Sequence, residues 1–131
     1  MEVLSSRVLL RPSDLPRSRS FYGDTLGLAV FREFGTGEDR GTVFFLGGGF
    51  LEVSRGPSSR PAERPGSSVR LWLQVRSVDD AHAELQAKGV EILRPPVTEP
   101  WGLREMWIAD PDGLAIAVIE VPEDHPMRRR P

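Results

Sequence analysis

One helix stop occurs twice in this chain. Leu26-Gly27-Leu28 and Lys88-Gly89-Val90 each put glycine where a helix ends in a left-handed residue. Aligned on those stops, the sequence repeats the order strand, helix, strand, strand, strand. This repeat constrains the fold more than any other feature. Each half has one helix to cover one face of a four-stranded sheet, so the other face must meet the second half, another chain or a ligand. The expected fold class is α+β: two βαβββ modules whose curved mixed sheets, facing each other, enclose a pocket.

In the first module, residues 3–11 read as a strand with Val8 and Leu10 on one face and Arg7, Leu9 and Arg11 on the other. Ser13 or Asp14 caps a helix that starts near Leu15, accepts Pro16 in its first turn and buries Phe21, Tyr22 and Leu26. Residues 28–34 form a strand and 35–41 a polar loop. Residues 42–46 and 50–54 form strands joined across Gly47-Gly48-Gly49.

The stretch RGPSSRPAERPG has no apolar periodicity and reads as a linker. The pattern then restarts. Residues 68–75 alternate Val69, Leu71, Leu73 and Val75 against Arg70, Trp72 and Gln74. Ser77 and Asp80 form a capping-box pattern for a helix through Lys88, with Val78, Ala81 and Leu85 inward. Residues 90–93 read as a strand and 94–100 as a loop. Strand, Asp110-Pro111-Asp112-Gly113 turn and strand then make a hairpin. The expected organisation is a first module over 1–55, an exposed linker over 56–67, a second module over 68–122 and a flexible tail over 123–131, one domain overall.

Composition narrows the function classes. The 131 residues suffice for one core, and a net charge of −2 argues against general nucleic-acid binding. Cysteine is absent, which excludes disulfides, thiolate metal sites and a cysteine nucleophile. No apolar run approaches membrane-spanning length, so no membrane role and a cytoplasmic location are expected.

Several short motifs then converge. Asp14-Leu15, Ser20-Phe21-Tyr22 and Leu26-Gly27-Leu28 stand in the first half. Val78-Asp79-Asp80-Ala81, Leu85-Gln86-Ala87-Lys88-Gly89-Val90, Pro100-Trp101-Gly102 and Asp110-Pro111-Asp112-Gly113 stand in the second. In their order and spacing the chain resembles the vicinal oxygen chelate superfamily, the glyoxalase, bleomycin-resistance and extradiol dioxygenase group, over roughly residues 3–121. The resemblance implies two βαβββ modules around a U-shaped pocket, commonly in a homodimer.

It also implies four metal-ligand positions in the enzymes of the group. Seven residues before Asp14, where His is usual, stands Arg7. The fourth-strand position keeps a donor, Glu52. The fifth-strand position is Arg70. Four residues past the DPDG turn, where Glu is usual, stands Ala117. A divalent ion needs several oxygen or nitrogen donors, and arginine is permanently protonated. Glu120 is three residues from Ala117, so alternation turns it to the opposite face. His82 and His125 lack ligand spacing. No metal and no cofactor are therefore expected.

If these positions face a pocket, alternation adds neighbours: Arg7, Leu9 and Arg11; Phe50, Glu52 and Ser54; Arg70, Trp72 and Gln74; Ala115, Ala117 and Ile119; and Glu105, Trp107 and Ala109. The complementary faces are almost wholly aliphatic, as a helix-packed core requires. Ala115 and Ala117 are expected to leave room, and Trp101 to stand on a loop that caps the cleft. The expected ligand-binding set is Arg7, Leu9, Phe50, Glu52, Arg70, Trp72, Gln74, Trp101, Glu105, Trp107 and Ala117, a lining suited to an aromatic small molecule. Arg7, Arg70 and Glu52 equally read as an ion-pair cluster filling the lost metal site, and each Trp as core or interface. The leading expectation is a metal-free binder that sequesters or carries an antibiotic or aromatic metabolite, with no catalytic residue. The alternative is a divergent lyase, isomerase or dioxygenase. A third reading is a pocket closed by the charges.

Overall fold

The computed structural model describes residues 1–55 and 69–128. The expected linker and the end of the Arg128-Arg129-Arg130 run lie outside them. The chain divides into two compact units, Met1–Ser67 and Ser68–Pro131.

The first unit holds β1 (Arg7–Leu10), α1 (Leu15–Ser20), a π-helical turn (Phe21–Thr25), β2 (Val30–Phe34), β3 (Gly41–Leu46) and β4 (Gly49–Val53). Its sheet runs β1-β4-β3-β2, with β1 parallel to β4 and the other pairs antiparallel. Asp14 caps α1, its side chain accepting from the Arg17 amide at 3.1 Å. The helix expected to run unbroken to Leu26 widens at Phe21 into the π-helical turn, and Gly27 follows at φ 76°. Phe44 faces this turn: a Cβ added at Gly23 would lie 3.2 Å from its ring, so the missing side chain admits the close approach. Leu51, Val53, Phe44, Leu15 and Tyr22 are buried and form this unit's core.

The second unit repeats the plan with β5 (Leu71–Val75), α2 (Val78–Ala87), β6 (Glu91–Thr98), β7 (Arg104–Ala109) and β8 (Ala115–Glu120). The sheet order is β5-β8-β7-β6, again with one parallel pair, β5 with β8. The Ser77 hydroxyl accepts from the Asp80 amide at 3.1 Å, as the cap pattern predicts. Glu120 Oε1 accepts from the Val78 amide at 2.9 Å. A carboxylate from the end of β8 thus satisfies an orphan donor at the positive end of α2. Arg104 grips Asp79 through two 2.9 Å hydrogen bonds, and that pairing holds the Asp79 carboxyl below its usual range. Ile116, Met106 and Ile108 are buried among the core residues.

Several strand boundaries differ from expectation. Residues 94–98, expected in a loop, continue β6 through Pro95 and Pro96. β6 is an edge strand with two register irregularities against β7, which is where a sheet tolerates residues that cannot donate. The strands expected from residues 3 and 68 begin only at Arg7 and Leu71, where parallel partners start. His125 Nε2 lies 3.1 Å from the Trp101 carbonyl oxygen, and residues Pro126–Arg128 form a 3-10 turn.

The DPDG turn is held by its first residue. Asp110 Oδ1 accepts from the amides of Asp112 at 2.9 Å and Leu114 at 2.8 Å, while Gly113 takes φ 85°. Asp110→Ala leaves two amides without this acceptor and is expected to lower stability by about 1–3 kcal/mol in chemical denaturation. A change below a few tenths would show that water replaces the carboxylate at no cost.

Candidate functional site

The helix-free face of the first sheet is built by register. Arg7 lies beside Phe50, and Phe50 beside Phe45; Leu9 lies beside Glu52, Glu52 beside Val43, and Val43 beside Arg32. A bulge between Val30 and Arg32 brings Phe31 onto the same face. Its ring centroid is 4.7 Å from that of Phe50 and 5.1 Å from that of Phe45, which in turn lie 5.7 Å apart. Phe31 is 46% and Phe45 45% exposed; Leu9 is exposed too and Phe50 half-buried. Three touching rings with this much open surface are an unusual feature for a sheet face in water.

Beside the rings, Glu52 is fully engaged. Arg7 Nη1 donates to its Oε1 at 2.9 Å. The Ser54 hydroxyl donates to Oε2 at 2.7 Å, and Arg11 Nη1 donates to Ser54 Oγ at 2.9 Å and to Oε2 at 3.3 Å. The side chains of Glu52 and Arg11 are only 13% and 11% exposed, that of Arg7 37%. Burial pulls the Glu52 carboxyl upward. The Ser54 hydroxyl, the Arg7 hydrogen bond and the charges of Arg11 and Arg7 outweigh it and hold Glu52 below the usual glutamate range. A carboxylate so held is a poor general base.

On the second sheet the register places Trp72, Ala117, Trp107 and Arg94 in one row, and Gln74, Ile119, Glu105 and Val97 in the next. Trp72 and Gln74 are exposed, Trp107 is half-buried and Glu105 is buried. Trp101 Nε1 donates to Glu105 Oε2 at 2.8 Å. The indole is thereby fixed by its polar edge while the residue stays 58% exposed. The Trp101 loop closes through the Glu99 amide, which donates to the Leu103 carbonyl at 2.8 Å, and turns at Gly102 with φ 96°.

One expectation needs correction. Ala117 does not leave room: it is 2% exposed, in a cluster with Leu103, Ile119 and Val121 against which Trp107 packs. The large side chains around an alanine close over it, because an apolar void forfeits contacts on all its walls. Within the first unit, the second guanidinium on Glu52 is Arg11. Arg70 belongs to the second unit, stands just before β5, and its Nη1 donates to the Val69 carbonyl at 3.2 Å.

Sequence reasoning missed Phe31, Phe45 and Arg32. Phe45 was accessible: a two-residue Gly47-Gly48 turn pairs Leu46 with Gly49 and so Phe45 with Phe50. Phe31 and Arg32 depend on the β2 bulge, which has no marker in the residues.

The donor set does not fit a divalent ion. Of the four positions of the vicinal oxygen chelate pattern, two are arginines and one a buried alanine, and both oxygens of Glu52 carry charge-assisted hydrogen bonds. Glu120, the nearby carboxylate, is turned to α2. Among the described residues no three His, Asp or Glu side chains gather where they would hold a metal.

Two four-stranded mixed sheets, each with its first strand parallel to its last, define the class as a βαβββ repeat of the α+β kind. The chain belongs to the Glyoxalase/Bleomycin resistance protein/Dioxygenase superfamily, whose family model matches residues 5–118. Solved structures agree. TioX from Micromonospora sp. ML1 is 22% identical, with a TM-score of 0.76 over 90% of this chain and 98% of that one. A member of the same superfamily from Sphaerobacter thermophilus DSM 20745 is 24% identical, with a TM-score of 0.68 over 91% and 98%. A protein of unknown function from Agrobacterium tumefaciens str. C58 is 31% identical, with a TM-score of 0.66 over 93% and 95%. No curated protein sequence matches the chain. Among the described residues no helix is long and apolar enough to cross a membrane.

Proposed function

We propose that this protein binds a planar aromatic small molecule without a metal and without a chemical step, sequestering or carrying an antibiotic-like compound or aromatic metabolite, and that it acts as a homodimer. The observation that carries this reading is the state of Glu52. The one donor retained among the superfamily's ligand positions is saturated by Arg7, Arg11 and Ser54, while exposed aromatic rings stand next to it. An ion-paired carboxylate beside clustered aromatic rings offers orientation and contact area and no Lewis acid. Trp72, and Trp101 fixed by Glu105, support the same reading on the second unit, since a fixed aromatic loses little entropy when a ligand stacks on it.

The test combines three measurements on purified protein. Metal analysis without chelator is expected to find no stoichiometric divalent ion. Titration of an antibiotic and aromatic-metabolite panel, followed by tryptophan fluorescence, is expected to give saturable quenching, weakened about tenfold in Trp101→Ala or Trp72→Ala. The ligand is expected to be recovered chemically unchanged, and sedimentation to give twice the chain mass. Stoichiometric metal that disappears in Glu52→Gln, or conversion of the ligand, would instead establish an enzyme.

A further inference from the structure

The charge on the helix-free face of the first sheet has the opposite sign to that of the whole chain. The protein carries a formal −2. Register places Arg7 and Arg32 on this face with Glu52, and the hydrogen bond of Arg11 to Glu52 adds a third, so three cations share the face with one anion. Glu33, the acidic residue next to Arg32, alternates to the other face beside Thr42 and pairs with Arg40. Arg32 is exposed, with its guanidinium carbon 5.9 Å from the centre of the Phe34 ring. Among the described residues, Arg7 uses only Nη1 for hydrogen bonding, toward Glu52. Its Nε and Nη2 remain available on a partly exposed side chain beside Phe50. Glu52 repels an incoming anion little, because Arg11, Ser54 and Arg7 already hold both its oxygens.

We propose, building on the binding face described above, that the ligand is a planar aromatic anion. Its arene stacks on the rings of Phe31, Phe45 and Phe50, and its carboxylate or equivalent anionic group takes the guanidinium edge of Arg7 that Glu52 leaves unused. Arg32 adds long-range attraction from the far edge of the sheet. Planar guanidinium donors match a carboxylate better than any other group on this face.

Three probes that share one naphthalene ring test this by calorimetry: 2-naphthoate, its neutral isostere 2-naphthamide and cationic 2-naphthylmethylammonium. The naphthoate is expected to bind about tenfold tighter than the amide, and the ammonium weakest. The preference is expected to shrink between about 0.01 M and 1 M salt, as the screening length falls from about 30 Å to 3 Å. Arg7→Gln should weaken naphthoate far more than the amide, so that the two affinities converge. Arg32→Gln, which leaves the Glu52 cluster untouched, should reduce the preference partly and remove part of its salt dependence. Equal binding of naphthoate and naphthamide, or tighter binding of the ammonium, overturns the anionic assignment and leaves aromatic binding standing. No saturable binding by any of the three overturns both.

Discussion

Glu52→Ala is expected to lower the stability of the protein by about 2–4 kcal/mol, although no hydrophobic contact of consequence is lost. The cost comes from what remains. Arg11, with a side chain only 11% exposed, loses its carboxylate, and its Nε is already buried without a partner. Arg7 and the Ser54 hydroxyl lose their acceptor at the same time. Urea denaturation of the variant and of wild type at neutral pH measures the difference. A change below about 0.5 kcal/mol would mean that the arginines turn to water freely and that the cluster is a surface feature.

The same site sets a pH dependence whose sign follows from Glu52. Its folded pKa lies below its unfolded value, which is about 4.5. The unfolded chain therefore takes up the proton first as acid is added. The contribution of Glu52 is fully present above about pH 5 and is lost as the pH falls through the lowered folded value. Glu52→Gln is expected to be less stable than wild type at pH 7 and to converge with it in acid. Parallel stability profiles from pH 7 to pH 3 would contradict this.

The second large effect lies at the position where an enzyme of the superfamily would carry its last carboxylate. Ala117→Glu is expected to cost about 3 kcal/mol or more and to gain no metal. Trp72 and Trp107 flank Ala117 across the strands, and Leu103, Ile119 and Val121 surround it. A glutamate there must displace close-packed apolar groups or bury an unpaired charge. Of the other three positions in the superfamily's ligand pattern, two are arginine and the third is Glu52, whose oxygens are already engaged. Thermal melts with and without Zn²⁺ or Mn²⁺ decide it: a variant as stable as wild type, or one stabilised by the ion in stoichiometric amounts, would show that the cluster has room and that the site remains convertible.

Much of this was legible in the residues. Glycine is one of the few residues that ends a helix with positive φ without strain, so Gly27 and Gly89 marked the repeat, and Asp14 and Ser77 marked the helix starts. Period-two alternation separated the aliphatic face from the face of Arg7, Glu52, Trp72 and Trp107 before any register was known. It also assigned Glu120 to the helix side, where it bonds the Val78 amide. These features are local: each depends on the conformational preference of a residue and its near neighbours.

What the sequence could not decide was which groups complete one another across strands. Alternation put Arg7, Arg11, Glu52 and Ser54 on one face, but which of them meet, with Arg11 and Ser54 closing around Glu52 beside Arg7, follows from the parallel register of β1 and β4. The bulge in β2 that brings Phe31 onto Phe45 and Phe50 is likewise a product of sheet twist and packing. Ala117 shows the same division. The chain alone established that the position the resemblance points to holds alanine and no carboxylate, because that is read directly from the residue order. That the space is filled by neighbouring side chains was decided by tertiary packing, since a void beside an alanine persists only where its neighbours cannot reach it.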